Sequence, residues 1–175
     1  MKKIVTVFVC VFAAGMAGAW AADAPKMADG VPAAEAMGWD LGCQAYSFNR
    51  FTFFEAVDKN ASLGLKVIEA YPGQTVSKDI DAKMGPGLSE EQRRKVLDKF
   101  AGAGVKMVNF GVVGLPNDEA ECRKVFDFAK DMGIETIVSE PPEDAFDVIE
   151  KLADEYEINV AIHNHPRPSH YWSHE

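Results

Sequence analysis

The residues of this chain that are best suited to chemistry lie near its end, in the stretch IHNHPRPSHYWSHE. This stretch contains all four histidines of the sequence, His163, His165, His170 and His174. In an extended strand, residues two apart face the same side, so His163 and His165 would point together. Imidazole nitrogens bind divalent cations or carry protons near neutral pH. The pair therefore predicts a metal or proton-transfer site, whereas His170 and His174, beyond Pro168, are expected to be loop residues or substrate contacts.

Two carboxylates occupy similar places in two earlier segments. In KVIEAY, Glu69 ends an apolar run, and in TIVSEP, Glu140 does the same. If these ends meet the two histidines around one bowl, the carboxylates need a cation or water, because burying them uncompensated is costly. Imidazole with carboxylate is a ligand set that suits Zn, Mn, Fe or Co better than Ca. Either glutamate taken alone would more simply be a solvated loop residue with no functional role.

Short apolar runs bounded by Gly and Pro recur along the chain and indicate the elements that position these residues. Such runs are typical of buried strands. They are LGCQAYSF from Leu41, GLKVIEAYP from Gly64, GVKMVNFGVVG from Gly104, GIETIVSEPP from Gly133 and EINVAIHNHP from Glu157.

Helical patterns separate these runs. Ser89 and Gln92 form a capping-box signature, and helices are also predicted to open at Asn117 and Pro142, with a weaker one between Thr52 and Leu63. Strands that alternate with helices imply βαβ units and a parallel sheet. The predicted fold class is α/β, with about five strands and four helices.

Two α/β architectures fit this pattern, a doubly wound sheet and part of a (β/α)8 barrel. No Gly-rich phosphate-binding turn follows the first run, so the dinucleotide fingerprint is absent. Residues able to do chemistry end nearly every strand, and barrels build their active sites from many strand ends. We therefore expect parallel (β/α) units of a TIM barrel, about five strands of eight, that is, a truncated barrel.

The N-terminus predicts export. Two lysines, an apolar run from Ile4 and the small residues of Ala19-Trp20-Ala21 are typical of a signal peptide over residues 1–21, cleaved after Ala21. A flexible leader over residues 22–37 and the barrel domain over residues 38–175 would follow. We expect a periplasmic or secreted protein with no stable membrane anchor after cleavage.

The net charge limits the classes of partner that are expected, and the cysteine spacing bears on disulfides and zinc sites. The formal net charge of −9 argues against nucleic acid, which requires clustered Lys and Arg. Cys43 and Cys122 fit two small buried residues better than a disulfide, and their spacing is not that of a zinc finger.

The ordered segments, from GWDLGCQAYSFNRF through GVKMVNFGV and TIVSEPP to VAIHNHPRPSHYW, resemble the sugar phosphate isomerase/epimerase family with its xylose-isomerase-like TIM barrel. The resemblance covers Trp39 to Glu175 and the first five strands. Many family members carry Glu-Asn-His at the fifth strand, where the Glu binds the metal; here His163-Asn164-His165 stands in its place. The chain lacks the strands that carry the family's later ligands, so it is expected to be a fragment.

The resemblance implies a divalent metal (Mn, Zn, Co or Mg) and proton abstraction next to a sugar carbonyl through an enediolate. It assigns Glu140 and His163 to the metal, and Glu69 and His165 to catalysis. The residues expected to contact the substrate are Tyr46, Phe110, Asn164, His170 and Trp172.

Three alternatives to this isomerase or epimerase remain open from the sequence. An exported enzyme could instead act on a 3-keto-glycoside, as a lyase or an epimerase. A non-catalytic sugar- or metal-binding half barrel would expose two strand edges and would have to form a homodimer. DNA-repair endonuclease chemistry is disfavoured by the negative charge and the export signal.

Overall fold

The computed structural model describes residues 32–172 and contains one parallel sheet flanked by helices. The strands are β1 (Gly42–Gln44), β2 (Val67–Ala70), β3 (Lys106–Gly111), β4 (Thr136–Ser139) and β5 (Asn159–Ile162). The α-helices are α1 (Pro32–Ala36), α2 (Phe53–Ser62), α3 (Glu90–Ala103), α4 (Glu119–Met132) and α5 (Phe146–Tyr156). Short 3-10 helices span Ala45–Phe48 and Glu143–Ala145.

The order of the strands distinguishes the two expected architectures. Every strand pairs in parallel with its neighbour in sequence, giving the order β1-β2-β3-β4-β5. A doubly wound sheet reverses direction at a switch point, whereas a barrel adds strands in one direction. The predicted α/β fold with barrel-type (β/α) units is confirmed. Within residues 32–172, β1 and β5 form the two edges of an open sheet.

The helices start where their side chains can satisfy the first backbone N–H groups. Thr52 with Glu55 caps α2, and Ser89 with Gln92 caps α3, each as a complete capping box. The carboxylate of Asp118 accepts the first free N–H groups of α4. The capping-box prediction at Ser89 is confirmed, and the weaker helix predicted after Thr52 is present as α2.

The core lies between the helices and one face of the sheet. Ile68 and Ala70 of β2 are fully buried there, so Glu69 between them faces the other, concave side. The largest fully buried side chains are Phe53, Phe110, Phe126, Phe128, Ile68, Met84, Leu115, Ile137 and Leu152.

A β-bulge in β3 changes which of its residues face the core. The register passes from Ile68 opposite Met107 directly to Glu69 opposite Asn109. The extra residue reverses the alternation beyond it, so Phe110 points toward the helices. Its ring is fully buried and packs edge-on against Phe128, with ring centroids 5.0 Å apart. The expectation that Phe110 contacts substrate is therefore corrected: it is a core residue.

The predicted signal peptide and most of the predicted leader lie outside the described residues. Of the leader, Pro32–Ala36 form α1, in which Ala34 is buried. Across residues 32–172, no helix has the length and apolar character needed to cross a membrane. Cys43 is half-buried and Cys122 is buried, and both are free thiols.

Candidate functional site

A cavity of about 540 Å³ opens at the carboxyl ends of the strands. β2 and β5 end at its rim, which is where parallel (β/α) folds gather their functional side chains. Its lining residues are Gln44, Tyr46, Ser47, Glu69, Tyr71, Pro72, Val112, His163 and His165.

Two histidines of this lining, His163 and His165, form with Glu140 a cluster that could hold a metal ion. One ligand atom from each lies within 4.8 Å of the others. The backbone explains why they meet. The His163 N–H donates to the Ser139 carbonyl at 2.9 Å, which extends the β4–β5 pairing by one residue and brings His163 beside Glu140.

The contacts within the cluster join all three residues. The Nε2 atoms of His163 and His165 are 3.3 Å apart, with the rings edge to face. Nδ1 of His165 contacts Oε1 of Glu140. On its other side, Oε2 of Glu140 accepts a hydrogen bond from the Ser169 hydroxyl at 3.2 Å.

The two histidines have the spacing of ligands to one divalent cation, and a carboxylate oxygen of Glu140 lies within 4.8 Å of their ligand atoms. Oε1 of Glu140 is buried and accepts no hydrogen bond of regular geometry, and it contacts Nδ1 of His165. The 3.3 Å between the two Nε2 atoms matches two nitrogen ligands of one tetrahedral ion, for which metal–nitrogen distances of about 2.0–2.1 Å give roughly that separation. Without a cation, the same distance suits a hydrogen bond in which only one of the two nitrogens is protonated. Two imidazoles with one carboxylate are typical ligands of zinc and of non-haem iron.

Glu69 supplies a second carboxylate on the concave face of the sheet. It lines the same cavity as His163 and His165, and it receives a hydrogen bond from Asn109 Nδ2 at 3.3 Å. A neighbouring cavity of about 360 Å³ also includes Glu69 and Asn109 in its lining. The position of Glu69 on the cavity wall therefore agrees with the strand alternation that the sequence predicts.

Two tyrosines form the wall of the cavity near the ends of β1 and β2. The rings of Tyr46 and Tyr71 pack edge to face with centroids 5.1 Å apart, and Tyr46 remains 61% exposed. Burial, with a smaller effect of Tyr46, raises the pKa of Tyr71, so its hydroxyl stays protonated at neutral pH. Such a wall offers aromatic faces and hydroxyl groups to a polar ring.

Gln44 orients the first of these tyrosines. Its Oε1 accepts the Tyr46 N–H, and its Nε2 donates to the Gly111 carbonyl at 3.1 Å. No role in the site was expected of Gln44 or Tyr71 from the sequence. Tyr71 could have been found from strand alternation, since it stands two residues after Glu69. Nothing in the sequence pattern signals the contact of Gln44 with Gly111.

Besides Phe110, three residues expected to contact substrate do not line this cavity. His170 pairs through Nε2 with Glu143 at 2.8 Å and lines, together with Glu140, another cavity of about 610 Å³. Trp172 stacks under the Arg167 guanidinium, 3.7 Å from the ring centroid, and Asn164 is exposed. The structure thus places Tyr46, Glu69, His163 and His165 on the 540 Å³ cavity and places these three residues outside its lining. His174 lies outside the described residues.

Comparison with known proteins supports the fold. No protein-family model matches the chain, and no curated protein matches it. Among solved structures, an uncharacterized protein from Parabacteroides distasonis is 32% identical, with a TM-score of 0.69, over 73% of this chain and 54% of that one.

Two further structures are of sugar-converting proteins. A D-psicose 3-epimerase, crystallised in the presence of D-fructose, matches with a TM-score of 0.53 and 14% identity, over 74% of this chain and 54% of that one. A sugar phosphate isomerase/epimerase from Parabacteroides distasonis has a TM-score of 0.50 and 14% identity, over 72% and 51%. The chain spans about half the length of these structures. The resemblance stated from the sequence is confirmed at the level of the fold.

Proposed function

We propose that this chain carries active-site residues of a divalent-metal-dependent sugar isomerase or epimerase, which removes a proton next to a carbonyl group. The observation that carries the proposal is the cluster of Glu140, His163 and His165 beside a cavity that Glu69 also lines. Structural similarity to proteins that isomerise or epimerise sugars supports the same class.

In this proposal Glu140 and His163 hold the metal, and His165 either completes the ligand set or exchanges protons with the substrate. When bound, the metal supplies Lewis-acid stabilisation for the negative charge that develops on the sugar's oxygen atoms. Each histidine that ligates the metal would do so through an imidazole nitrogen that carries no proton.

Glu69 is the proposed base. Its carboxylate takes the proton from the carbon next to the carbonyl, the C–H electron pair becomes a carbon–carbon double bond, and the carbonyl oxygen takes up the displaced pair. Return of the proton to the other face of the same carbon is epimerisation, and delivery to the neighbouring carbon is isomerisation. The Asn109 hydrogen bond fixes one oxygen of Glu69 and leaves the other for the substrate.

The aromatic wall indicates how the sugar is held. Tyr46 and Tyr71 lie on the same cavity as Glu69, so a sugar ring against them would place its carbon atoms near the carboxylate. Val112 and Pro72 complete this side with apolar groups. A sugar presents both C–H faces and hydroxyl groups, and this combination of lining residues matches both.

The predicted signal peptide suggests an exported protein, for which a free ketose or a 3-keto-glycoside is the proposed substrate. The same proton removal would start elimination from a 3-keto-glycoside, so a lyase is the second candidate. The expected half-barrel homodimer that only binds sugar or metal is the third, and activity measurements distinguish it from the first two.

The test is proton exchange in D2O, which detects C–H cleavage whatever product follows. The full-length chain, loaded with Zn2+, Co2+ or Mn2+, is incubated with D-fructose, D-psicose or a 3-keto-glucoside, and NMR follows deuterium uptake next to the carbonyl. Exchange in the wild type and its loss in Glu69→Gln, with metal content unchanged, supports the proposal.

A matched control is Glu135→Gln, which alters another strand-associated carboxylate that does not line the 540 Å³ cavity. This variant should exchange at the wild-type rate. Metal binding without exchange on any of the three sugars would instead favour the binding protein, and release of an aglycone would favour the lyase.

A further inference from the structure

We infer that Ser169 is a positioning residue, whose hydroxyl orients the Glu140 carboxylate toward His163 and His165. This inference rests on the proposed metal site and adds to it a residue outside the ligand set. Ser169 lies in the loop after β5, seven residues beyond Ile162, the end of that strand.

The two hydrogen bonds of the Ser169 side chain determine where its hydroxyl proton points. Its Oγ accepts the backbone N–H of Tyr171 at 3.1 Å, and it lies 3.2 Å from Oε2 of Glu140. A hydroxyl has one proton to donate, and a carboxylate can only accept. The Tyr171 N–H occupies one lone pair of the hydroxyl, and the proton is directed at Glu140.

The backbone around Ser169 holds the hydroxyl in this place. The Ser169 N–H donates to the Pro166 carbonyl at 3.2 Å, which closes a turn immediately before it. Main-chain contacts on both sides of the side chain, at Pro166 and Tyr171, therefore limit its movement.

The hydrogen bond from Ser169 determines the orientation of the two carboxylate oxygens of Glu140. Oε2 is engaged by Ser169, so rotation of the carboxylate about its last bond would break that hydrogen bond. Oε1 is thereby directed to the histidine side, where it is buried, contacts His165 Nδ1 and accepts no regular hydrogen bond. Hydrogen bonds that orient a ligating carboxylate typically change metal affinity by about 10–100-fold when removed.

A neighbouring contact allows orientation to be separated from simple anchoring of the loop. The Tyr171 hydroxyl donates to the Pro141 carbonyl, so it also ties the loop after β5 to the loop after β4. It makes no hydrogen bond to the Glu140 carboxylate. A residue that acts only by anchoring the loop should therefore behave like Tyr171, and a residue that orients Glu140 should not.

The experiment is a Co2+ titration of the full-length chain, read by the visible absorption of the bound ion and by its dissociation constant. Three variants are compared with the wild type, Ser169→Ala, Ser169→Thr and Tyr171→Phe. We expect Ser169→Ala to bind Co2+ about 10–100-fold more weakly, with an altered absorption spectrum. Ser169→Thr, which retains a hydroxyl, should restore both, and Tyr171→Phe should bind as the wild type does.

Thermal melting without metal identifies a variant that has lost its fold, and Ser169→Ala is expected to melt as the wild type does. Wild-type affinity in Ser169→Ala, or an equal loss in Tyr171→Phe, overturns the inference while the metal site stands. If the wild type binds no Co2+ at all, the proposed metal site fails and the role of Ser169 fails with it.

Discussion

Glu140 is the residue on which the candidate metal site depends most, because it brings the only negative charge to the three-residue cluster. We expect Glu140→Gln, which preserves size and can still accept from Ser169, to lower Zn2+ or Co2+ affinity by at least about 100-fold, since removal of a ligand should cost at least as much as removal of its orienting contact. Equilibrium dialysis with metal analysis measures the change.

The matched control for this variant is Glu143→Gln. Glu143 begins the short 3-10 helix after Glu140 and pairs with His170 on the exposed surface, where its side chain is 73% accessible. Its replacement should leave metal affinity unchanged. Equal losses in both variants would indicate a general effect of charge near the strand ends and would contradict a ligand role for Glu140.

Strand alternation predicted part of this site correctly, because it depends only on the geometry of an extended chain. It placed Glu69 on the concave face, and the His163–His165 pair on one side. Strand alternation could not predict the positions of His170 and Trp172, because both lie beyond β5 in a loop. The path of this loop depends on contacts with Glu143 and Arg167. A loop path of this kind is determined by tertiary contacts that no local pattern encodes.

At the scale of elements, the pairing of β1 with β2 requires a residue without a side chain at Gly42. A Cβ there would lie 2.3 Å from the Val67 carbonyl oxygen and 2.7 Å from its Cγ2. Since backbone cannot move aside cheaply, we expect Gly42→Ala to lower the free energy of unfolding by about 1–3 kcal/mol. Urea denaturation monitored by circular dichroism measures the loss.

Gly102→Ala is the corresponding control. Gly102 lies in α3, and an added Cβ would have no heavy atom within 4 Å. The same replacement should there raise the free energy of unfolding by roughly 0.5–1 kcal/mol, because Ala favours helix. A stabilised Gly42→Ala variant would show that β1 does not pack on β2 as described.

The capping box of α2 predicts a dependence of stability on pH. Hydrogen bonds from the Thr52 N–H, from Lys78 and from the Thr52 hydroxyl lower the pKa of Glu55 from 4.5 to about 2. A lowered pKa in the folded state means that the ionised carboxylate stabilises the fold above pH 4.5, and that this contribution is lost as the pH falls toward 2.

Glu55→Gln isolates this effect, because α3 uses Gln92 in the same position of its own capping box. We expect the variant to be less stable than the wild type at pH 7 and equally stable near pH 2. Urea midpoints of both proteins, measured across this range, provide the test. A difference that stays constant with pH would exclude titration of Glu55 as the cause.

How far the elements could be predicted depends on whether a local signal defines them. The capping box at Ser89 and the parallel strand order follow from side-chain and connection rules that act within short segments. Two details do not follow from such local rules. The bulge in β3 directs the Phe110 side chain toward the core, and α5 begins at Phe146 rather than at Pro142 because a 3-10 helix precedes it. Both depend on packing against neighbouring elements.

At the scale of the whole molecule, the cluster joins segments that are distant in sequence, since it links the ends of β4 and β5 to the loop that contains Ser169. A metal that binds the folded chain and not the unfolded one therefore stabilises the entire domain by mass action. At a free metal concentration 100 times the dissociation constant, the gain is about 2.7 kcal/mol. For a chain of 175 residues this corresponds to a rise in melting temperature of roughly 5–10 °C.

The same donor set would favour some divalent metals over others. Two imidazoles and a carboxylate suit Zn2+ or Co2+, whereas Mg2+ prefers oxygen ligands and retains its waters. We expect Zn2+ and Co2+ to raise the melting temperature, measured by differential scanning fluorimetry, and Mg2+ at the same concentration to leave it unchanged. His163→Ala should abolish the rise. His170→Ala, which removes an exposed histidine outside the cluster, should retain it. A rise that survives in His163→Ala, or one that Mg2+ produces equally, would show that the ion binds elsewhere on this acidic chain.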